Sequence, residues 1–173
     1  MSVLPRLTAI AAELIGEGAF AVRAVAFDKT PETNWAIAWH QDRTVAVRER
    51  VAADGFGPWS TKDGVPHVAP PVDVLRGMVT LRLHIDACGE ANAPLKVALG
   101  THRLDVVAAD KAAEVASAHP LLACLADTGD VWACSTLILH ASERSRIAGR
   151  RRVLQTDFAA GPLSGGLEWR GLD

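Results

Sequence analysis

The chain has 173 residues, long enough to bury one sizeable core. Its formal net charge of -2, with 49% hydrophobic and 22% charged residues, is a globular composition that excludes disorder and gives no electrostatic case for nucleic acid or an anionic membrane. No apolar run approaches the roughly 18 residues of a membrane span, and the opening Met1-Ser2-Val3-Leu4-Pro5-Arg6 lacks the basic-then-apolar pattern of a secretion signal.

Leu7, Ile10, Ala11, Leu14 and Ile15 follow helical spacing, so a helix is expected over about 6–17, stopped by Gly16 and Gly18. Residues 19–27 read as a strand, followed by turn formers at 28–34. The next strand, 35–40, ends on His40. Regular alternation there puts Trp35, Ile37 and Trp39 on one face, and Ala36 and Ala38 on the other with His40. Small neighbours would leave room beside that histidine. Thr44–Val51 is a further strand candidate.

Residues 52–71 are broken by Gly55, Gly57, Pro58, Gly64, Pro66, Pro70 and Pro71 and read as a long irregular segment. It is either a surface wrap or a lid over a site; Trp59 and His67 are its substrate-contact candidates. Val72–Met78 reads as a short helix. Val79–Asp86 alternates, with Val79, Leu81, Leu83 and Ile85 on a core face. Thr80, Arg82, His84 and Asp86 on the other face meet either water or a polar cavity. Leu95–Leu99 is a short strand and Ala108–Ala118 a helix. Leu121–Asp127, Val131–His140 and Arg151–Phe158 are strands, and the tail from about 159 is irregular.

About eight short strands, few helices and no βαβ alternation favour an antiparallel barrel or sandwich of the jelly-roll kind, a single domain over 1–173 with its barrel at about 19–158. Three cysteines, Cys88, Cys124 and Cys134, without C-x-x-C spacing, read as reduced thiols of a cytoplasmic protein.

The chemistry centres on Trp39-His40-Gln41-Asp42. Residues i and i+2 of a strand share a face, so His40 and Asp42 can reach one metal ion. Two histidines and a carboxylate with open positions form the facial triad of non-haem Fe(II) oxygenases. The third ligand comes from His67, His84, His102, His119 or His140. His140 is the best placed, at the end of an apolar strand. His102 reads as a turn-stabilising hydrogen-bonder; His84 and His119 carry no signal beyond position. Arg151 follows His140 by eleven residues and suits a two-pronged salt bridge to a carboxylate. Its neighbours Arg150 and Arg152 leave a solvated basic patch as the competing reading. Arg82 either lines the cavity, binding cosubstrate or an acidic substrate, or pairs with Asp86 at the surface. Lys29 and Trp39 are placed to close the pocket or, more simply, serve as turn residue and core aromatic.

In their order along the chain, Trp-His-Gln-Asp at 39–42, Leu81-Arg82-Leu83-His84-Ile85-Asp86, Gly100-Thr101-His102-Arg103, Gly129-Asp130 and the spacing from His140-Ala141-Ser142 to Arg151 resemble the phytanoyl-CoA dioxygenase family of Fe(II)- and 2-oxoglutarate-dependent oxygenases, over about 27–158. The resemblance implies a double-stranded β-helix, an all-β core with flanking helices. It implies iron bound by His40, Asp42 and His140, and 2-oxoglutarate bound by Arg151 and Ser142, with Arg82 added as a cavity residue. It implies use of O2, with succinate and CO2 released and a C–H bond of a small molecule hydroxylated. Related halogenases lack the carboxylate, so Asp42 favours hydroxylation. Only 39 residues precede His40, fewer than is usual in the family, which argues against a bulky acyl-CoA substrate and leaves room for a homodimer to complete the pocket. The competing readings are a non-catalytic or divergent cupin-like metal-binding barrel, and a zinc or manganese hydrolase or isomerase on the same three ligands.

Overall fold

The computed structural model describes residues 2–172. Three helices and eleven strands run in the order α1 (Leu4–Ile15), β1 (Phe20–Lys29), β2 (Ile37–His40), β3 (Val45–Ala46), β4 (Trp59–Lys62), β5 (Val65–Val68), α2 (Val72–Arg76), β6 (Val79–His84), β7 (Leu95–Ala98), α3 (Ala112–Ser117), β8 (Leu121–Cys124), β9 (Val131–Ser135), β10 (His140–Ser142) and β11 (Arg151–Ala159). Two four-stranded sheets, β1-β11-β6-β9 and β2-β10-β7-β8, face one another, and a small sheet β3-β5-β4 lies beside them. With β3, β4 and β5 set aside as an insertion, the remaining eight strands alternate between the two sheets except at the consecutive pair β7–β8, and give the jelly-roll order of a double-stranded β-helix. Among the described residues no helix is long and apolar enough to cross a membrane.

α1 buries Leu7 and Ala11 against Val79, Leu81 and Phe158, so it covers the outer face of the first sheet. Pro5 sits in its first turn and Gly16 ends it at φ 103, where a side chain would be strained. Leu14, expected on the apolar stripe, is exposed. The expected alternation of β6 is present: Val79 and Leu81 face the helix, while Thr80, Arg82 and His84 are buried on the inner side. The polar face therefore lines the interior. α3 packs Ala112 and Ala116 on Ala98, Leu139 and Trp39, closing the outer face of the second sheet.

Several boundaries differ from those expected. β1 continues through Asp28 and Lys29, because both stay in register with Arg152 and Arg151 of β11. The apolar run 131–140 is two strands. Ile138 N–H donates to Ser135 C=O at 3.0 Å, a turn that carries the chain from one sheet to the other. Periodicity does not show such a corner when no glycine or proline marks it, as in Ser135-Thr136-Leu137-Ile138. Only Val45–Ala46 of the 44–51 candidate is strand. The segment 52–71 contains the antiparallel hairpin β4–β5. The tail has no strand of its own, yet it is packed: Leu163 and Leu167 are buried in the cluster under β3 and β5, and Trp169 Nε1 donates to Gly161 C=O at 2.9 Å.

Candidate active site

His40 closes β2 and His140 opens β10, and the two residues are register partners. Ser142 pairs with Ile37, so two residues of β2, Ala38 and Trp39, stand opposite the single residue Ala141. This is a β-bulge. It changes the face assignment expected from plain alternation. Ile37, not Ala36 or Ala38, shares the cavity with His40, while Ala36 and Ala38 are exposed and Trp39 packs toward α3.

His40, Asp42 and His140 offer ligand atoms that all lie within 4.8 Å of one another. The imidazole rings are 4.2 Å apart between centroids, and His140 Nε2 is 4.0 Å from Asp42 Oδ2. Donors about 2.1 Å from a shared divalent ion stand about 3–4 Å apart, so a small contraction closes this set on a metal. Each imidazole is oriented by its own strand: His40 Nδ1 bonds Ala38 C=O at 2.8 Å and His140 Nδ1 bonds Ile138 C=O at 2.9 Å. A carbonyl only accepts, so Nδ1 carries the hydrogen and Nε2 is left with its lone pair free for a metal. Burial also holds His140 below the ordinary histidine range, keeping it neutral.

Gln41 is the fixed point between the two ligands. It points away from them, is buried, and donates from Nε2 to Asp105 C=O at 2.7 Å and to Leu137 C=O at 2.6 Å. Its Oε1 accepts from Val107 N–H at 2.8 Å. On the His140 side, buried Thr101 donates to Ala98 C=O at 2.7 Å and accepts from Leu139 N–H at 2.9 Å. Thr101 therefore does the turn-holding expected of His102, whose buried Nδ1 has no partner.

The cavity holding the triad measures about 590 Å³ with its open mouth included, and Ser142, Arg151, Arg82 and Gln155 also line it. Arg151 is the inward member of its basic run, 4% exposed, with one N–H on Ala93 C=O and Nε unpartnered. Arg150 and Arg152 turn outward, onto Asp28 and Asp86. Arg82 is 8% exposed, donates to Gln155 Oε1, leaves Nε unpartnered and stands 5.2 Å over the Phe27 ring. Among the described residues neither guanidinium has a carboxylate within ion-pair distance. Buried cations without a counter-ion are costly unless a ligand supplies one. A donor set of two imidazoles with free Nε2 positions and a carboxylate, beside an unpaired guanidinium and a serine, fits a divalent metal with a dicarboxylate cosubstrate.

Lys29 is a larger participant than its sequence position suggested. It is 1% exposed, and its ammonium donates to Glu143 C=O at 2.6 Å and to Ser142 Oγ at 3.4 Å. Burial, followed by the Arg151 charge, pushes it down to about 8. The signal was present in the alternation of Arg23, Val25, Phe27 and Lys29 along one face of β1, once the strand is carried to its true end. Trp59 and His67 lie outside the cavity. Trp59 packs in the core cluster under the hairpin with Arg50 5.6 Å above its ring. His67 is buried, with Nδ1 on Val65 C=O at 3.0 Å. The residue their hairpin places at the cavity is Lys62. His84 is buried on the inner face with its Nδ1 unpartnered, and His119 caps Leu99 C=O at 3.1 Å.

Solved structures share this architecture. EctD from S. alaskensis with bound Fe matches with a TM-score of 0.67 at 19% identity, over 92% of this chain and 52% of that one. The same protein with 2-oxoglutarate and 5-hydroxyectoine matches at 0.64 and 19%, over 90% and 49%. EvdMO1 matches at 0.66 and 20%, over 90% of this chain and 30% of that one. AviO1 from Streptomyces viridochromogenes Tue57 matches at 0.61 and 20%, over 91% and 59%. The chain thus spans less than two thirds of the length of each. No curated protein matches it by sequence. A family model described as Phytanoyl-CoA dioxygenase (PhyH) matches residues 5–153. With the fold, the triad and that match together, the chain belongs to the phytanoyl-CoA dioxygenase (PhyH) family.

Proposed function

We propose that the protein is an Fe(II)- and 2-oxoglutarate-dependent dioxygenase that hydroxylates a small organic substrate. The observation that carries this reading is the convergence of His40, Asp42 and His140 on one cavity with the unpaired guanidinium of Arg151. EctD, which shares the fold, has been solved with Fe and with 2-oxoglutarate, which supports both groups here. When bound, iron and 2-oxoglutarate supply the oxidising power: one atom of O2 enters succinate as CO2 leaves, and the other enters the substrate C–H bond as a hydroxyl.

The chain's own residues bind and orient. His40 and His140 present Nε2 lone pairs, and Asp42 takes the third position, where a carboxylate leaves no place for a halide. Arg151 receives the distal carboxylate of 2-oxoglutarate through paired N–H donors. Ser142 and Lys29 add donors at the same end, and Phe27, Trp35 and Ile37 keep water from the cavity wall. A hydrolase or isomerase has no use for Arg151 facing the metal cavity, which favours the oxygenase over that alternative.

Succinate release with Fe(II), 2-oxoglutarate and a metabolite panel tests the assignment. Wild-type protein is expected to release succinate, and His40→Ala to lose at least about 100-fold of the rate, as loss of a metal-site residue does. Release that is insensitive to His40→Ala would overturn it.

A further inference from the structure

The cavity has a second charged end, at Arg23 and Lys62, away from Arg151 and Ser142. Arg151 pairs with Lys29 at one end of the β1–β11 ladder, and Arg23 pairs with Asp157 six residues along. At about 3.3 Å per residue these ends stand about 20 Å apart. Arg23 lines the triad cavity, as does Lys62, which the β4–β5 hairpin extends over it. Neither cation is well matched. Arg23 reaches Asp157 through a single 3.5 Å contact, and Lys62 has only a neutral partner, Thr44 Oγ1 at 2.9 Å. Partial desolvation and then the nearby Arg23 charge lower the Lys62 ammonium from its ordinary value, with Asp42 and Asp157 opposing.

Charge balance points the same way. Arg23, Lys62, Arg82 and Arg151 face the cavity, and Asp42 is the carboxylate that lines it. Asp157 is buried behind Arg23, and it is already bound by Thr80 Oγ1 at 2.9 Å and Gln155 Nε2 at 3.2 Å. Burial raises its carboxyl, so it offsets one charge at most. A divalent metal and a dianionic 2-oxoglutarate cancel one another. Two carboxylates against four cations then leave a positive surplus, before Lys29 is counted. An uncharged substrate would close the mouth of the cavity over that surplus and strip its water, at a cost that an anion removes.

We propose, on the oxygenase reading above, that the substrate is a small organic anion whose carboxylate or phosphate is held between Arg23 and Lys62, with its reacting C–H bond toward the His40–Asp42–His140 side. Arg23 and Lys62 are then specificity-determining residues, and the hairpin inserted between β3 and α2 is the element that carries one of them to the site.

The test uses the full chain loaded with Mn(II), which holds the site without turnover. 2-Oxoglutarate is titrated first by calorimetry. Butyrate, methyl phosphate and, as an uncharged control, butyramide are then titrated at saturating 2-oxoglutarate. At least one anion is expected to bind about tenfold or more tighter than butyramide, and Arg23→Gln and Lys62→Gln each to weaken it about three- to tenfold through the lost charge-assisted bond. Arg23→Lys should retain binding within about threefold, and 2-oxoglutarate affinity should stay within about twofold throughout. Anions no better than butyramide, or anion binding unchanged in both Gln variants, would overturn the proposal. Lys62 is exposed on its hairpin, so Lys62→Gln decides the matter should Arg23→Gln not fold. Failure of 2-oxoglutarate to bind in the first titration is a separate result: it removes the oxygenase reading, and this proposal with it.

Discussion

At the residue scale, Gln41 anchors the segment that carries His40 and Asp42. His40 and Asp42 were legible in the sequence because imidazole and carboxylate two apart on a strand are metal-binding types on one face. Gln41 was not legible. Its partners are backbone groups of Asp105, Val107 and Leu137, more than sixty residues away, which only the folded chain brings near. The same holds for Thr101 behind His140. Gln41→Leu keeps the volume but leaves two carbonyls and an N–H buried without a partner. It is expected to cost about 2–4 kcal/mol of stability, measured by urea unfolding. It should also weaken metal binding about 10–100-fold, as loss of a residue that orients the ligands does. A Gln41→Leu protein that binds Mn(II) as tightly as wild type would show that the ligand segment holds itself in place.

At the element scale, the bulge in β2 decides which side chains share the cavity with His40, Asp42 and His140. Regular alternation puts Ala36 and Ala38 beside His40; the observed register puts Ile37 there and leaves Ala38 and Trp39 opposite one residue. Nothing in Ala36-Ile37-Ala38-Trp39 announces this, since no glycine marks the bulge. Its origin is tertiary: Trp39 seats against α3 while His40 pairs with His140, and one extra residue reconciles the two. Deleting Ala38 therefore leaves a regular ladder with His40 still facing inward, but with the Ile37 carbonyl, in regular strand geometry, where the bulged Ala38 carbonyl held its Nδ1. Metal affinity, read by Mn(II) titration, is expected to fall about 10–100-fold. Loss as complete as in His40→Ala would mean that the ring had turned to the other face and the bulge account is wrong. By contrast, the alternation expected for β6 holds over 79–84, because its two faces differ sharply in polarity; the strand stops at His84 rather than Asp86, and Ile85, expected in the core, is exposed. The run 131–140 shows no break in sequence because the corner between β9 and β10, Ser135-Thr136-Leu137-Ile138, carries neither glycine nor proline and leads straight into apolar residues.

At the scale of the whole molecule, the count of short strands and the absence of βαβ alternation were enough to indicate an antiparallel jelly roll. They could not say which strands pair. Long-range pairing such as β1 with β11, 134 residues apart at Arg23 and Asp157, has no local signature. The expected arrangement of the site came from the order of motifs, and the sheets supply its physical basis. β2, with Asp42 just beyond it, and β10 bring His40, Asp42 and His140 to one wall, β11 and β6 present Arg151 and Arg82 on the other, and β1 runs from Lys29 beside Ser142 to Arg23 at the opposite end. Arg82 and Arg151, which look misplaced in a barrel core, have no carboxylate within ion-pair distance among the described residues. The central claim, that this core is built around a metal and a dicarboxylate together, is tested most directly by anaerobic titration of the protein with Fe(II) and 2-oxoglutarate. Wild type should develop a weak visible charge-transfer band that needs both additions, and Arg151→Ala should require at least about tenfold more 2-oxoglutarate to reach it. No band in the wild type, or a band equally easy to form in Arg151→Ala, would contradict the account.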